Sequence, residues 1–146
     1  MTQRLEKLLG YTFENPDLLT RALITISYAN ENGLSDEQHQ EAFRTLGDAV
    51  INVIIVAASI AYGRSRKGKI TDDKKLLVSK ASLNRLAKAF HLEKYVQWGK
   101  GERVQKIWTV SDKPLAECFE AIIGAIYLDA GMAETEEIFW RITKTG

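Results

Sequence analysis

Residues 40–51 read QEAFRTLGDAVI, and residues 115–128 read LAECFEAIIGAIYL. Both stretches repeat apolar residues at helical spacing, and both carry carboxylates along that pattern. Glu41 and Asp48 lie two helical turns apart and so share a face, as do Glu117 and Glu120, one turn apart. Carboxylates set into otherwise apolar helices are costly to bury unless something compensates them. A cation bridging the two helices is one such compensation. Four carboxylates without a histidine or cysteine cluster suit a hard ion such as Mg²⁺. Gly47 costs its helix stability relative to alanine, which close packing of a neighbouring helix or of a partner chain explains.

The 146-residue length predicts one domain, residues 1–146, with enough chain to bury a sizeable core. Two prolines and no repeated β-branched runs predict an all-α class. The single cysteine, Cys118, excludes an internal disulfide and a zinc cluster; set among apolar residues, it reads as core. The N-terminus is amphipathic rather than a long apolar run, and no uninterrupted apolar segment is read as membrane-spanning, so a soluble, cytoplasmic protein is expected. A formal net charge of +1 argues against a uniformly basic nucleic-acid binder but leaves room for a basic face.

Along the chain, residues 2–9 read as a short helix closed by Gly10. Asn15 and Pro16 read as the cap and first turn of the next. Ser35 and Gln38 form a capping box for a long helix over 36–62, whose second half is apolar nearly all round and is expected to be central and buried. A basic loop over 63–69 follows. Thr71 is expected to cap the next helix, with Asp72 and Asp73 at its positive end and a break near Ser79. Ser111 or Asp112, followed by Pro114, starts a helix to about Leu128, and residues 133–144 form a last amphipathic helix. Trp98, Trp108 and Trp140 are core or interface anchors.

Residues 40–50 (QEAFRTLGDAV) and 117–129 (ECFEAIIGAIYLD) resemble two signatures of the ribonuclease III family, close to N-E-x-L-E-F-L-G-D-A-V and D-x-x-E-A-x-I-G-A-x-x-L-D. Residues 10–32 are similar to the family's opening block, with Thr25 where a histidine is common, and Gly99-Lys100-Gly101-Glu102 matches a G-x-G-E loop. The resemblance runs from about Leu8 to Arg141. It implies the all-α nuclease-domain fold of that family, a symmetric homodimer, and Mg²⁺-dependent hydrolysis of double-stranded RNA, with Mn²⁺ as the alternative ion. Carried over by position, Asp48 and Glu120 are the catalytic candidates, and Asp48, Glu117 and Glu120 the metal ligands. Glu41, near the substrate, and Arg64, Lys67 and Lys69 are the substrate-binding candidates, within a wider basic cluster that includes Lys74, Lys75 and Lys80. Glu41, Phe43 and Gly47 fall in the implied dimer interface. Many family members add a double-stranded-RNA-binding domain, for which residues 1–146 leave no room.

The chain departs from the family at three of these positions. Arg44 stands at the second signature glutamate, Lys67 at an acidic position after the long helix, and Glu117 at an aspartate. Arg44, on the face of Glu41 and Asp48, is placed to pair with Asp48 or Glu120 and to lower the site's negative charge. Two rival readings therefore accompany the nuclease: a degenerate copy of the fold that binds RNA or serves as a scaffold, and one half of a heterodimer with an intact partner protein.

Overall fold

The structure, a computed structural model, describes residues 2–145; Met1 and Gly146, the ends of the expected domain, lie outside it. Among the described residues the chain forms nine α-helices and no strand. Helix α1 (Gln3–Leu9) ends at Gly10, whose φ of 73° is left-handed. Helix α2 (Pro16–Ala22) starts as the sequence predicts: the Asn15 side chain accepts from the Asp17 N–H at 3.1 Å, and Pro16 fills the first position. Helix α3 (Ile26–Glu31) is capped by Thr25.

The long helix α4 covers Glu41–Ala61 and begins later than the sequence predicts. Residues Asp36–Gln38 form only a 3₁₀ turn. Gln38 folds back to accept from the Ser35 N–H at 2.9 Å, so the box closes on the turn. The chain then extends at His39, whose carbonyl accepts from Arg21 Nε at 2.9 Å. Helix α5 (Lys67–Val78) starts earlier than expected. Thr71 is interior to it: its hydroxyl donates to the Lys67 carbonyl at 3.0 Å instead of capping. The expected break is at Ser79, which caps α6 (Lys80–Ala89) by accepting from the Ser82 N–H. Helices α7 (Lys100–Gln105), α8 (Lys113–Ala130) and α9 (Met132–Thr145) complete the chain.

The helix at the centre is α8, against which α4, α6, α2 and α9 pack. It buries an unbroken run from Cys118 to Ile126. The expectation that α4 is buried on most faces is corrected. One side of α4, with Val50, Ile51, Ile54 and Ile55, is buried, whereas Val53 and Ile60 are more than half exposed. By length and composition α4 also meets the requirement for a membrane span, contrary to the sequence reading, but its apolar side here is the core wall facing α8.

Two glycines set how closely α4 and α8 approach. A Cβ on Gly47 would lie 1.7 Å from the carbonyl oxygen of Glu120, and one on Gly124 would lie 2.3 Å from that of Phe43. The neighbour that Gly47 makes room for is therefore this chain's own α8. Two family-motif residues outside the crossing tie the periphery down. Asp129, at the end of α8, accepts from the Tyr11 hydroxyl and from the N–H groups of Glu14 and Asn15 at 2.9 and 3.0 Å. Glu102 accepts from the Thr25 hydroxyl and the Gly99 N–H, both at 2.7 Å.

Candidate active site

The backbone crossing of α4 and α8 brings Asp48 near Glu120 and Arg44 to Glu117. Asp48 follows Gly47 directly, is exposed, and lies near enough to Glu120 for its charge to raise the Glu120 carboxyl. Glu120 is buried. Burial pushes its carboxyl up to about 6; Lys80 pulls it down, and the neighbouring Asp48 adds to the rise. The Lys80 Nζ donates to Glu120 Oε1 at 2.7 Å. Glu117, one turn earlier on α8, faces Arg44 from α4, with Nη2 3.5 Å from Oε2.

Arg44 thus pairs with Glu117, not with Asp48 or Glu120 as the sequence suggested. On the Glu120 side the cation is Lys80. The sequence placed Lys80 in the RNA-facing cluster, and only the packing of α6 on α8 reveals its partner forty residues along the chain. Of the other basic candidates, Arg64 is committed to Asp73, with Nε 2.9 and 3.0 Å from its two carboxylate oxygens. This pairing, with the Ser59 hydroxyl behind it, holds the Asp73 carboxyl below the usual range. Lys67 and Lys69 are exposed in the first turn of α5.

Glu41 is exposed at the start of α4, where its N–H donates to His39 Nδ1 at 3.3 Å. Phe43 and Gly47 do not belong to an exposed interface. Phe43 is buried with the Arg21 guanidinium 4.4 Å over its ring, and Gly47 is buried against α8. Behind the site, Cys118 is a core thiol 3.6 Å from Gln40 Nε2, and burial pushes it up to about 12, so it stays neutral. A cleft of about 250 Å³ opens beside the Arg44–Glu117 pair, with Thr25, Gln40, Trp98 and Glu102 among its walls. Trp98 stacks on Trp108 at 5.1 Å and is a core anchor.

A family profile described as Ribonuclease-III-like matches residues 15–145. The chain belongs to the ribonuclease-III-like family. It is 40% identical over 142 residues to a protein named Ribonuclease 3 from Dehalococcoides mccartyi, covering 97% of this chain and 60% of the relative. To Ribonuclease 3 of Aquifex aeolicus it is 33% identical over 147 residues, covering 99% and 61%. A solved nuclease domain of ribonuclease III from Campylobacter jejuni, described for flexibility in a region involved in dimer formation, superposes with a TM-score of 0.87 at 25% identity, covering 99% of this chain and 97% of that one. This chain spans about three-fifths of the length of the curated relatives it matches.

Ribonuclease III enzymes depend in general on a divalent metal ion. Among the described residues, no three acidic, histidine or cysteine side chains converge as a ready-made cage. Mg²⁺ does not require one: it keeps several waters and is usually held by one or two carboxylates plus substrate phosphate. Asp48 and Glu120 are two carboxylates of the kind such a site uses. The raised carboxyl of Glu120 marks a buried charge that its partners compensate only in part.

Proposed function

We propose that residues 1–146 form a single ribonuclease III-type nuclease domain that hydrolyses phosphodiesters in double-stranded RNA. The observation that carries this reading is the pairing of Asp48 with the buried Glu120 across the glycine crossing. These two residues would hold the ion, Mg²⁺ or Mn²⁺, while Glu117, one turn earlier on α8, is engaged by Arg44. A bound ion lowers the pKa of a water and neutralises charge building on the phosphate. The chain's own part is positioning. The α4–α8 crossing fixes the two carboxylates, burial of Glu120 keeps bulk water from its face, and the exposed Lys67 and Lys69 offer charge to duplex phosphates. RNA duplexes are recognised mostly by shape and backbone, so such charges need no base contacts.

The exposed side of α4, with Glu41, Val53 and Ile60, is the face on which a second copy would pair. A cytoplasmic location follows from the proposed substrate. The Arg44–Glu117 and Lys80–Glu120 pairs are the one observation behind a second reading, a domain that binds duplex RNA without cutting it, which the family comparisons do not favour. Cleavage of a long RNA duplex with Mg²⁺ and with Mn²⁺ separates the two. Metal-dependent cleavage that is lost in Glu120→Ala supports the nuclease. Duplex binding without cleavage, with cleavage gained in Arg44→Glu, supports the second reading.

A further inference from the structure

The Lys80–Glu120 pair is lopsided. Its 2.7 Å contact joins a carboxylate whose side chain is 5% exposed to an ammonium whose side chain is 50% exposed. Glu120 is fixed by the core around α8, whereas Lys80 reaches it from the first turn of α6, just past the Ser79 break. The helix before that break, α5, buries no residue. A lysine ammonium is a compact, strongly hydrated point charge on a flexible stem, so it leaves a partner more readily than a guanidinium does. The other pair differs. Arg44 and Glu117 are both mostly buried, at 26% and 20% side-chain exposure, and neither has the same freedom to move away.

We propose that Lys80 is a tethered counter-ion that competes with a divalent cation for Glu120, so that the ion binds only as the Lys80 ammonium swings out. This rests on the reading of Asp48 and Glu120 as the ion site. Without an ion, Lys80 compensates the buried carboxylate, and the helix crossing stays intact under chelation. With an ion, Lys80 is released beside the phosphate that completes the metal's shell, where a positive charge is favoured. The device sets a threshold: weak ion binding by the protein alone, and tighter binding once RNA phosphate replaces Glu120 as the partner of Lys80.

Mn²⁺ titration followed by the EPR signal of the free ion tests this on the intact chain. Lys80→Met is expected to bind Mn²⁺ about tenfold or more tightly than the wild type, the size set by removing one unit charge from beside a divalent ion even in full solvent screening. Lys80→Arg keeps the charge and holds it to the carboxylate at least as firmly, so it is expected to bind Mn²⁺ no more tightly than the wild type. The gain is expected to vanish in Lys80→Met with Glu120→Gln, and thermal melts in EDTA check that each variant is folded. Equal Mn²⁺ affinity in wild type and a folded Lys80→Met overturns the inference, whether or not the wild type cuts RNA. Tighter binding in Lys80→Met with no cleavage by any variant upholds it and refutes the nuclease reading instead.

Discussion

Alanine at position 47 sets two physical effects against each other, and the structure says which wins. Helix propensity alone predicts that Gly47→Ala stabilises α4 by about 1 kcal/mol. The added Cβ, however, would sit 1.7 Å from the Glu120 carbonyl oxygen and 2.6 Å from its carbon. Both are backbone atoms in the middle of α8, so no side chain can rotate away. The contact must open to about 3.4 Å, which parts α4 from α8 by more than an ångström near the crossing. A gap of even about 0.5–1 Å already forfeits a quarter to a half of the dispersion energy along its lining. Overpacking of this kind costs about 3 kcal/mol or more. After the propensity gain, a net loss of about 2–3 kcal/mol remains, a fall in Tm of roughly 4–12 °C for a chain of this size. Gly68→Ala is the control: Gly68 lies inside α5 with nothing near its Cβ position, so the same substitution is expected to be neutral or stabilising by a few tenths of a kcal/mol. Chemical denaturation of the two variants beside the wild type measures both signs. If Gly47→Ala is as stable as the wild type, the crossing does not set the helix separation and the account of the site built on it fails.

Other substitutions probe the surroundings of that crossing. Glu120 has a folded carboxyl raised from 4.5 to about 6, so its stabilising protonation is fully present below about pH 4.5 and lost as pH rises through 6. Glu120→Gln is therefore expected to stabilise the protein at pH 8 by about 1–2 kcal/mol while abolishing cleavage; a destabilised Gln variant would show that Lys80 more than compensates the buried charge. For Asp129, burial opposes the charge, but the Tyr11 hydroxyl and two backbone N–H groups outweigh it and hold the carboxyl below its usual 3.8. Its contribution is present above that value and lost as pH falls below it, so an acid melt of Asp129→Asn should show a shallower loss of stability than the wild type over that window. Thr25→Val removes the hydroxyl that donates to Glu102 and should cost about 1–2 kcal/mol in urea unfolding, with little effect on RNA binding.

The parts of the fold legible in the sequence are those fixed by local rules. Asn15-Pro16 capped its helix, Gly10 ended one, and Ser79 broke one, because each acts on backbone groups within a few residues. Boundaries went astray where a side chain had two local options. Thr71 can cap a helix or bond back within one, and it does the latter; residues 36–38 are turned out of α4 because the buried His39 holds an extended backbone between them. In the candidate site, the approach of Asp48 to Glu120 was legible because they sit at fixed offsets from Gly47 and Gly124. Lys80 was not, since nothing near residue 80 in the sequence refers to residue 120. Phe43 was misplaced because an aromatic on a signature helix reads equally well as core or interface, and the Arg21 guanidinium that covers it lies on another helix.

The Gly47–Gly124 crossing has an evolutionary side. The spacing of the carboxylates is fixed by two backbones in contact, so the scaffold that presents them does not depend on which charges they carry. Arg44 and Lys67 bring positive charge to an acidic motif and to the start of α5, yet the chain superposes on the Campylobacter domain over nearly its whole length. Charge at this crossing is thus a setting that can change on its own, while the glycines set the helix separation. A lineage can retune or retire the chemistry here by single substitutions and keep a fully folded helical body for selection to put to another use.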